Sequence, residues 1–139
     1  MTDSHLPTSK STLMVVDDDP DLVEIVRITL EAKGFNVRCA YSGKHLFACL
    51  EELKPDLILL DIMMPQMDGL EVLTRLKGNP ATASIPVILL TVKGEPEDVI
   101  KGYERGADIY ITKPFTSTEV LEAINLVLGG DQGRSVESP

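Results

Sequence analysis

The stretch Leu57-Ile58-Leu59-Leu60-Asp61-Ile62-Met63-Met64-Pro65-Gln66-Met67-Asp68-Gly69 decides the fold. Its first four residues are all apolar, and they run straight into an acid. A short run that is apolar at every position, not at alternate ones, suits a strand buried on both faces. Pro65 has no backbone N–H to give a sheet, so the strand stops before it. Asp68-Gly69 reads as a turn or helix start. Asp61 therefore stands where a buried parallel strand opens into a loop. Ligands of open α/β sheets bind just beyond such strand ends.

Working outward, the same alternation recurs. Leu13 to Val16 reads as a buried strand ending in Asp17-Asp18-Asp19-Pro20. An acid before proline is a helix-start signal, with Asp19 the expected N-cap. Leu22, Ile25, Val26, Thr29 and Leu30 follow at helical spacing, and Gly34 stops the helix. Asn36 to Ala40 is a second strand. Ser42 caps a helix carrying Leu46, Phe47, Leu50 and Leu53, ending before Pro55. After the Asp61 strand, Asp68-Gly69 opens a helix with Leu70, Leu73 and Leu76 on one face and Gly78 near its end. Residues 79–85 read as loop. Val87 to Leu90 is a fourth strand ending in Thr91. A helix from Gly94-Glu95-Pro96 runs through Val99, Ile100 and Tyr103 to Gly106. Ile109 to Ile111 is a fifth strand, ending in Thr112-Lys113-Pro114. Ser117 starts a last helix through Val120, Leu121, Ile124 and Leu128, closed by Gly129-Gly130. Five β-α units predict an α/β fold, a five-stranded parallel sheet with helices on both faces, flavodoxin-like, in the order 2-1-3-4-5. Residues 1–11 are expected to be a flexible N-terminal segment, 12–128 the domain, and 129–139 a flexible tail or truncated linker.

Composition narrows the class. With 139 residues the chain has room for one domain with a real core. Its apolar runs are too short for a bilayer, and residues 1–10 lack the apolar stretch of a secretory signal. A formal net charge of −9 argues against nucleic-acid binding by this chain itself. Cys39 and Cys49 lie in apolar-patterned segments, form no metal-type cluster and read as small core residues. These features predict a reducing cytoplasm. His5 and His45 show no partner pattern and read as surface residues.

The chemistry is carried by the strand ends taken together. The first supplies Asp17-Asp18-Asp19, the third Asp61, the fourth Thr91 and the fifth Lys113, all at the carboxyl edge. Clustered carboxylates repel one another unless a cation intervenes, and Mg²⁺ suits a few carboxylate and carbonyl oxygens plus water. The Met63 carbonyl is well placed for such an ion. Lys113 can grip a phosphoryl oxygen, and Thr91 offers a hydroxyl. These are parts for phosphoryl transfer, with Asp61 as nucleophile and an acyl phosphate as product. Each residue alone has a plainer use: one Asp as a cap, Asp68 as a turn, the methionines as packing, Thr91 as a strand end, Lys113 as a solvated charge. Three acids in a row exceed what capping needs, and the signal lies in the set.

Asp17-Asp18 after Val15-Val16, the D-x-x-M-P-x-M-D-G run at 61–69, Thr91, Gly106-Ala107-Asp108 and Lys113-Pro114-Phe115 resemble the receiver domain of bacterial two-component response regulators. The likeness spans roughly residues 12 to 128. That family is itself counted among folds of the 2-1-3-4-5 order, so the strand order is not an independent expectation. The resemblance implies a phosphoacceptor, not an enzyme, with Asp61 receiving phosphate from a sensor histidine kinase or phosphotransfer protein. It implies that Asp18, Asp61 and the Met63 carbonyl hold Mg²⁺, with Asp17 supporting them from behind. It further implies that Thr91 and Lys113 contact the phosphoryl group, that Thr91 and Tyr110 form a switch in which the Tyr110 ring turns inward, and that the Lys113-Pro114 bond is cis.

Two other classes share parts of this pattern. Dehalogenase-like phosphatases also use a strand-end Asp, but carry a second acid two residues on, where this chain has Met63, and place the nucleophile on the first strand. A flavin module needs a phosphate cradle where Asp17-Asp18-Asp19 would repel one. A receiver serving only as an unphosphorylated scaffold is opposed by the intact acids, Thr91 and Lys113. Gly129-Gly130-Asp131-Gln132-Gly133 looks like the start of a linker, so a stand-alone receiver and a receiver with an effector domain beyond the C-terminus both remain open, as does a homodimer on phosphorylation. Met63 and Lys93 should flank the approach of water to a phosphorylated Asp61, and by occluding it they predict slow self-dephosphorylation.

Overall fold

Strands and helices alternate as β1 (Thr12–Val16), α1 (Pro20–Glu31), β2 (Asn36–Ala40), α2 (Gly43–Leu50), β3 (Leu57–Asp61), α3 (Gly69–Lys77), β4 (Val87–Thr91), α4 (Pro96–Glu104), β5 (Ile109–Thr112) and α5 (Ser117–Leu128). The computed structural model describes residues 11–64, 68–91, 96–113 and 115–129, and their side chains except those of 91 and 96–99. The expectations for residues 1–10, Pro65, Met67, Lys93, Gly94-Glu95, the Thr91 side chain, the Lys113-Pro114 bond and the tail from 130 fall outside what is described. The sheet is parallel throughout, in the order β2-β1-β3-β4-β5, as the sequence predicts.

β3 is the central strand, and every one of its five residues is buried. Its alternate residues feed two cores. Ile58 and Leu60 face the side packed by α2 and α3 with Leu46, Val72, Leu73 and Leu76. Leu57 and Leu59 face the side packed by α1 and α5 with Val23, Val26, Leu30, Val120 and Ile124. A strand buried on both faces cannot show alternation, which is why β3 is continuously apolar.

Caps hold the helix starts. Asp19 accepts from the Asp21 and Leu22 N–H groups at the head of α1, and Ser42 from that of His45 at the head of α2. Thr116 and Glu119 make a reciprocal capping box at α5. Three details differ from the sequence reading. α2 ends at Leu50, so Leu53, expected on it, lies beyond the helix while still packing on the core. On α1 the buried stripe is Val23, Val26 and Leu30, whereas Ile25 is 62% exposed. Leu22 to Val26 offers two overlapping helical stripes, and only the packing partner selects the one that contains Val23. Cys39 and Cys49 are half-buried at the margins of the two cores, not fully inside.

The amino edge of the sheet is pinned by two acids. Asp56, just before β3, donates its N–H to the Thr12 carbonyl (2.8 Å) and accepts the Thr12 N–H on its carboxylate (2.7 Å). Asp108, just before β5, makes the same pair of bonds with Val87, at 2.8 and 3.0 Å. Gly106 precedes it at φ 108°, a left-handed turn that frees the chain from α4. The Gly106-Ala107-Asp108 motif is thus a strand-pairing device at the edge opposite Asp61.

Candidate functional site

Register brings the acids together. β1 pairs with β3 so that Val16 faces Leu60, and the next residue on each strand is Asp17 and Asp61. Both are buried, at 1% and 2% exposure, whereas Asp18 points into solvent. One carboxylate oxygen from each of Asp17, Asp18 and Asp61 lies within 4.8 Å of the others, the one such acid cluster among the described residues. On the far side β4 pairs with β5, Thr91 opposite Thr112, so Thr91 ends β4 at the same edge and Lys113 follows directly.

Lys113 spans the pocket from β5. Its ammonium donates to Asp17 Oδ2 at 2.8 Å and lies 3.6 Å from Asp61 Oδ1. A long flexible stem with a compact charge can cross the end of β4 in this way. Asp17 is engaged on both oxygens, since Oδ1 accepts the Asp19 N–H at 3.0 Å. Its own N–H donates to the Ala40 carbonyl, tying this loop to the end of β2. Asp61 Oδ1 also accepts the Met63 N–H at 3.3 Å. Met63 itself is exposed, while Met64 turns into the core.

The Asp61 carboxyl is pushed up to about 6. Burial is the first cause, and the charge of Asp17 the second; Lys113 and the Met63 N–H pull the other way, and Asp18 adds a smaller upward push. Within this group three carboxylates face one ammonium, a surplus of negative charge that a hard divalent cation would neutralise. The residues present therefore fit Mg²⁺: clustered oxygens, no soft donor among them, and one carboxylate, Asp18, left on the open side.

Two contacts around the site are absent from the sequence reading, and a third residue, Tyr110, is expected as a switch without its packing being given. The Ile62 carbonyl accepts from the N–H groups of both Met64 (3.2 Å) and Gly69 (2.7 Å), which draws the start of α3 against the end of β3. His45, read as partnerless, accepts the Tyr41 N–H on Nδ1 at 3.2 Å beside the β2 end. Tyr110 stands opposite Leu89, packs its ring on the α2–α3 core and buries its hydroxyl oxygen. The first could have been suspected from a glycine at a helix start, and the second is a local contact between residues four apart; the packing of Tyr110 depends on contacts between segments.

The sequence profile described as response regulator receiver domain matches residues 13–125. The chain belongs to that family. The receiver is 42% identical over 116 residues to the DNA-binding dual master transcriptional regulator RpaA of Synechocystis, covering 84% of this chain and 48% of that protein. It is likewise 42% identical over 117 residues to the phosphate regulon transcriptional regulatory protein PhoB of Pseudomonas aeruginosa, covering 84% and 51%. The chain thus spans about half the length of these relatives. Among solved structures, the receiver domain of a Syntrophus aciditrophicus signal transduction histidine kinase is 36% identical with a TM-score of 0.80, covering 86% of this chain and 91% of that one. The N-terminal domain of a Methanoculleus marisnigri response regulator receiver protein is 43% identical with a TM-score of 0.70, covering 85% and 96%. No helix among the described residues is long and apolar enough to cross a membrane.

Proposed function

We propose that this receiver accepts a phosphoryl group on Asp61 from a histidine kinase or phosphotransfer protein, and that the new charge changes its output surface. The observation that carries the reading is a buried strand-end carboxylate set among two further acids and an ammonium. At neutral pH most of an acid titrating near 6 is carboxylate, so the nucleophile is available. A carboxylate oxygen of Asp61 attacks phosphorus, the O–P bond forms as the donor's P–N bond breaks, and the electron pair returns to the imidazole nitrogen. Lys113, already between Asp17 and Asp61, can follow the charge onto a phosphoryl oxygen. Asp18, Asp61 and the Met63 carbonyl would hold Mg²⁺, with Asp17 behind them, and the ion would supply charge neutralisation to donor and acceptor oxygens.

Downstream, Thr91 at the β4 end and Tyr110 on β5 are the switch this reading assigns, a population shift between two packings. Tyr110 is already packed with its hydroxyl buried here, which supports an unphosphorylated chain that samples the inward ring. RpaA and PhoB, transcriptional regulators by name, have about as much chain again outside the matched part. An effector domain beyond Leu128 is the output their organisation supports, with this acidic domain itself leaving nucleic acid alone. The test is intact mass after incubation with Mg²⁺ and a small phosphodonor. Wild type should gain one phosphoryl group and Asp61→Asn none; stoichiometric labelling of the Asn variant elsewhere would sink the assignment.

A further inference from the structure

Gly69 occupies the first position of α3, where glycine is a poor choice. Alanine there would favour the helix, though less than at interior positions. Nor does the backbone call for glycine: the glycines with positive φ among the described residues are Gly34 and Gly106. What Gly69 provides is space. A Cβ at this position would overlap the Asp61 carbonyl oxygen and lie 2.6 Å from Ile62 Cα and 3.0 Å from the Asp61 carbonyl carbon. These are backbone atoms of the central strand, so they cannot rotate away as a side-chain tip could. The same close approach carries the 2.7 Å bond from the Gly69 N–H to the Ile62 carbonyl, and Asp68 fixes the helix start by accepting the Glu71 N–H at 2.9 Å.

We propose that Gly69 is a positioning residue of the Asp61 site: by lacking a side chain, it lets α3 seat against the Asp61–Ile62 peptide and so sets where the Asp61 carboxylate and the Met63 carbonyl point. The inference rests on the Asp61 and Mg²⁺ reading above. A Cβ would displace that peptide, and the displacement passes directly to Asp61 and to Met63 two residues on. Misplacement of about 1 Å can cost a factor on the order of 100 in such a site, so a shift of a few tenths of an ångström should cost about tenfold.

The experiment compares wild type with Gly69→Ala, Gly69→Ser and, as a control at the far end of α3, Gly78→Ala. Mg²⁺ affinity is measured by calorimetry and phosphorylation with acetyl phosphate by intact mass, at 10 °C with a stabilising osmolyte and with folding checked by circular dichroism. The expected result is folded Gly69→Ala protein whose Mg²⁺ affinity is about tenfold weaker, a serine variant at least as impaired, and a Gly78→Ala control within twofold of wild type. A fold change without a site change would mark a structural residue, so two outcomes overturn the proposal: folded Gly69→Ala binding Mg²⁺ within twofold of wild type, or Gly69→Ala failing to fold under these conditions. If wild type itself neither binds Mg²⁺ nor takes a phosphoryl group, the reading of the site fails first, and the positioning role fails with it.

Discussion

Replacing Asp61 with Asn should stabilise the metal-free protein, and the size of the gain should depend on pH in a particular direction. In the fold this carboxyl titrates near 6, against an ordinary value of 3.8. Between those values the native chain holds a proton that the unfolded chain has released, so native stability falls as pH rises from about 4 to about 6 and then levels off. Two pKa units correspond to about 3 kcal/mol, and solvent at the pocket mouth reduces this to about 2 kcal/mol. Lys113 and the Met63 N–H are already included, since both act on the shifted value. For a domain of this size about 2 kcal/mol is about 8 °C in Tm. Asp61→Asn should therefore melt about 8 °C higher than wild type at pH 7.5 in EDTA and within about 2 °C of it at pH 4. Mg²⁺ should narrow the gap at pH 7.5 by binding the wild-type cluster. The assay is thermal unfolding by circular dichroism across that pH range, with and without Mg²⁺. A variant no more stable than wild type at pH 7.5, or one whose advantage is as large at pH 4, would refute the argument that burial and Asp17 destabilise the ionised Asp61.

Other outcomes follow from the same geometry. Met63→Asn with Lys93→Glu should shorten the life of the phosphorylated protein, read as phosphate release after the donor is removed; a double variant as durable as wild type would end the occlusion argument. Gly102, inside α4, faces Leu89, whose Cδ1 would lie 2.7 Å from an added Cβ. Gly102→Ala should lose about 1–2 kcal/mol in denaturant unfolding despite its better helix propensity, and Leu89→Val should recover about 1 kcal/mol of that in the double variant; strictly additive losses would count against the contact. Ile25 and Ile28 leave apolar surface exposed on α1, the helix that starts from the acid loop. Ile25→Glu with Ile28→Glu should slow phosphotransfer from a partner kinase about tenfold or more, while labelling by acetyl phosphate stays within twofold; equal slowing of both would mean a disturbed site and no docking role.

The chain's own pattern was enough for the β-α alternation, the helix caps at Asp19 and Ser42, and the placing of Asp17, Asp18, Asp61, Thr91 and Lys113 at one sheet edge. Those depend on local periodicity, on capping chemistry and on the rule that parallel strands end on the same side. Strand order came partly from resemblance, because local pattern carries no pairing information. Only the tertiary structure decided which of two stripes α1 buries, since Ile25 and Val23 are equally apolar and the choice belongs to the surface of β1 and α5. It alone showed Lys113 bonded more closely to Asp17, beyond β1, than to Asp61 at the end of β3, although β3 is the strand nearer to β5; the reach of the flexible lysine stem decides this, not strand order. The clearance at Gly69 is the clearest case: glycine in the sequence reads as a turn, and the Asp61 backbone it accommodates is brought there by packing of α3 on the sheet. Periodicity along a chain records which side is buried, whereas interatomic distances between segments exist only once the segments have met.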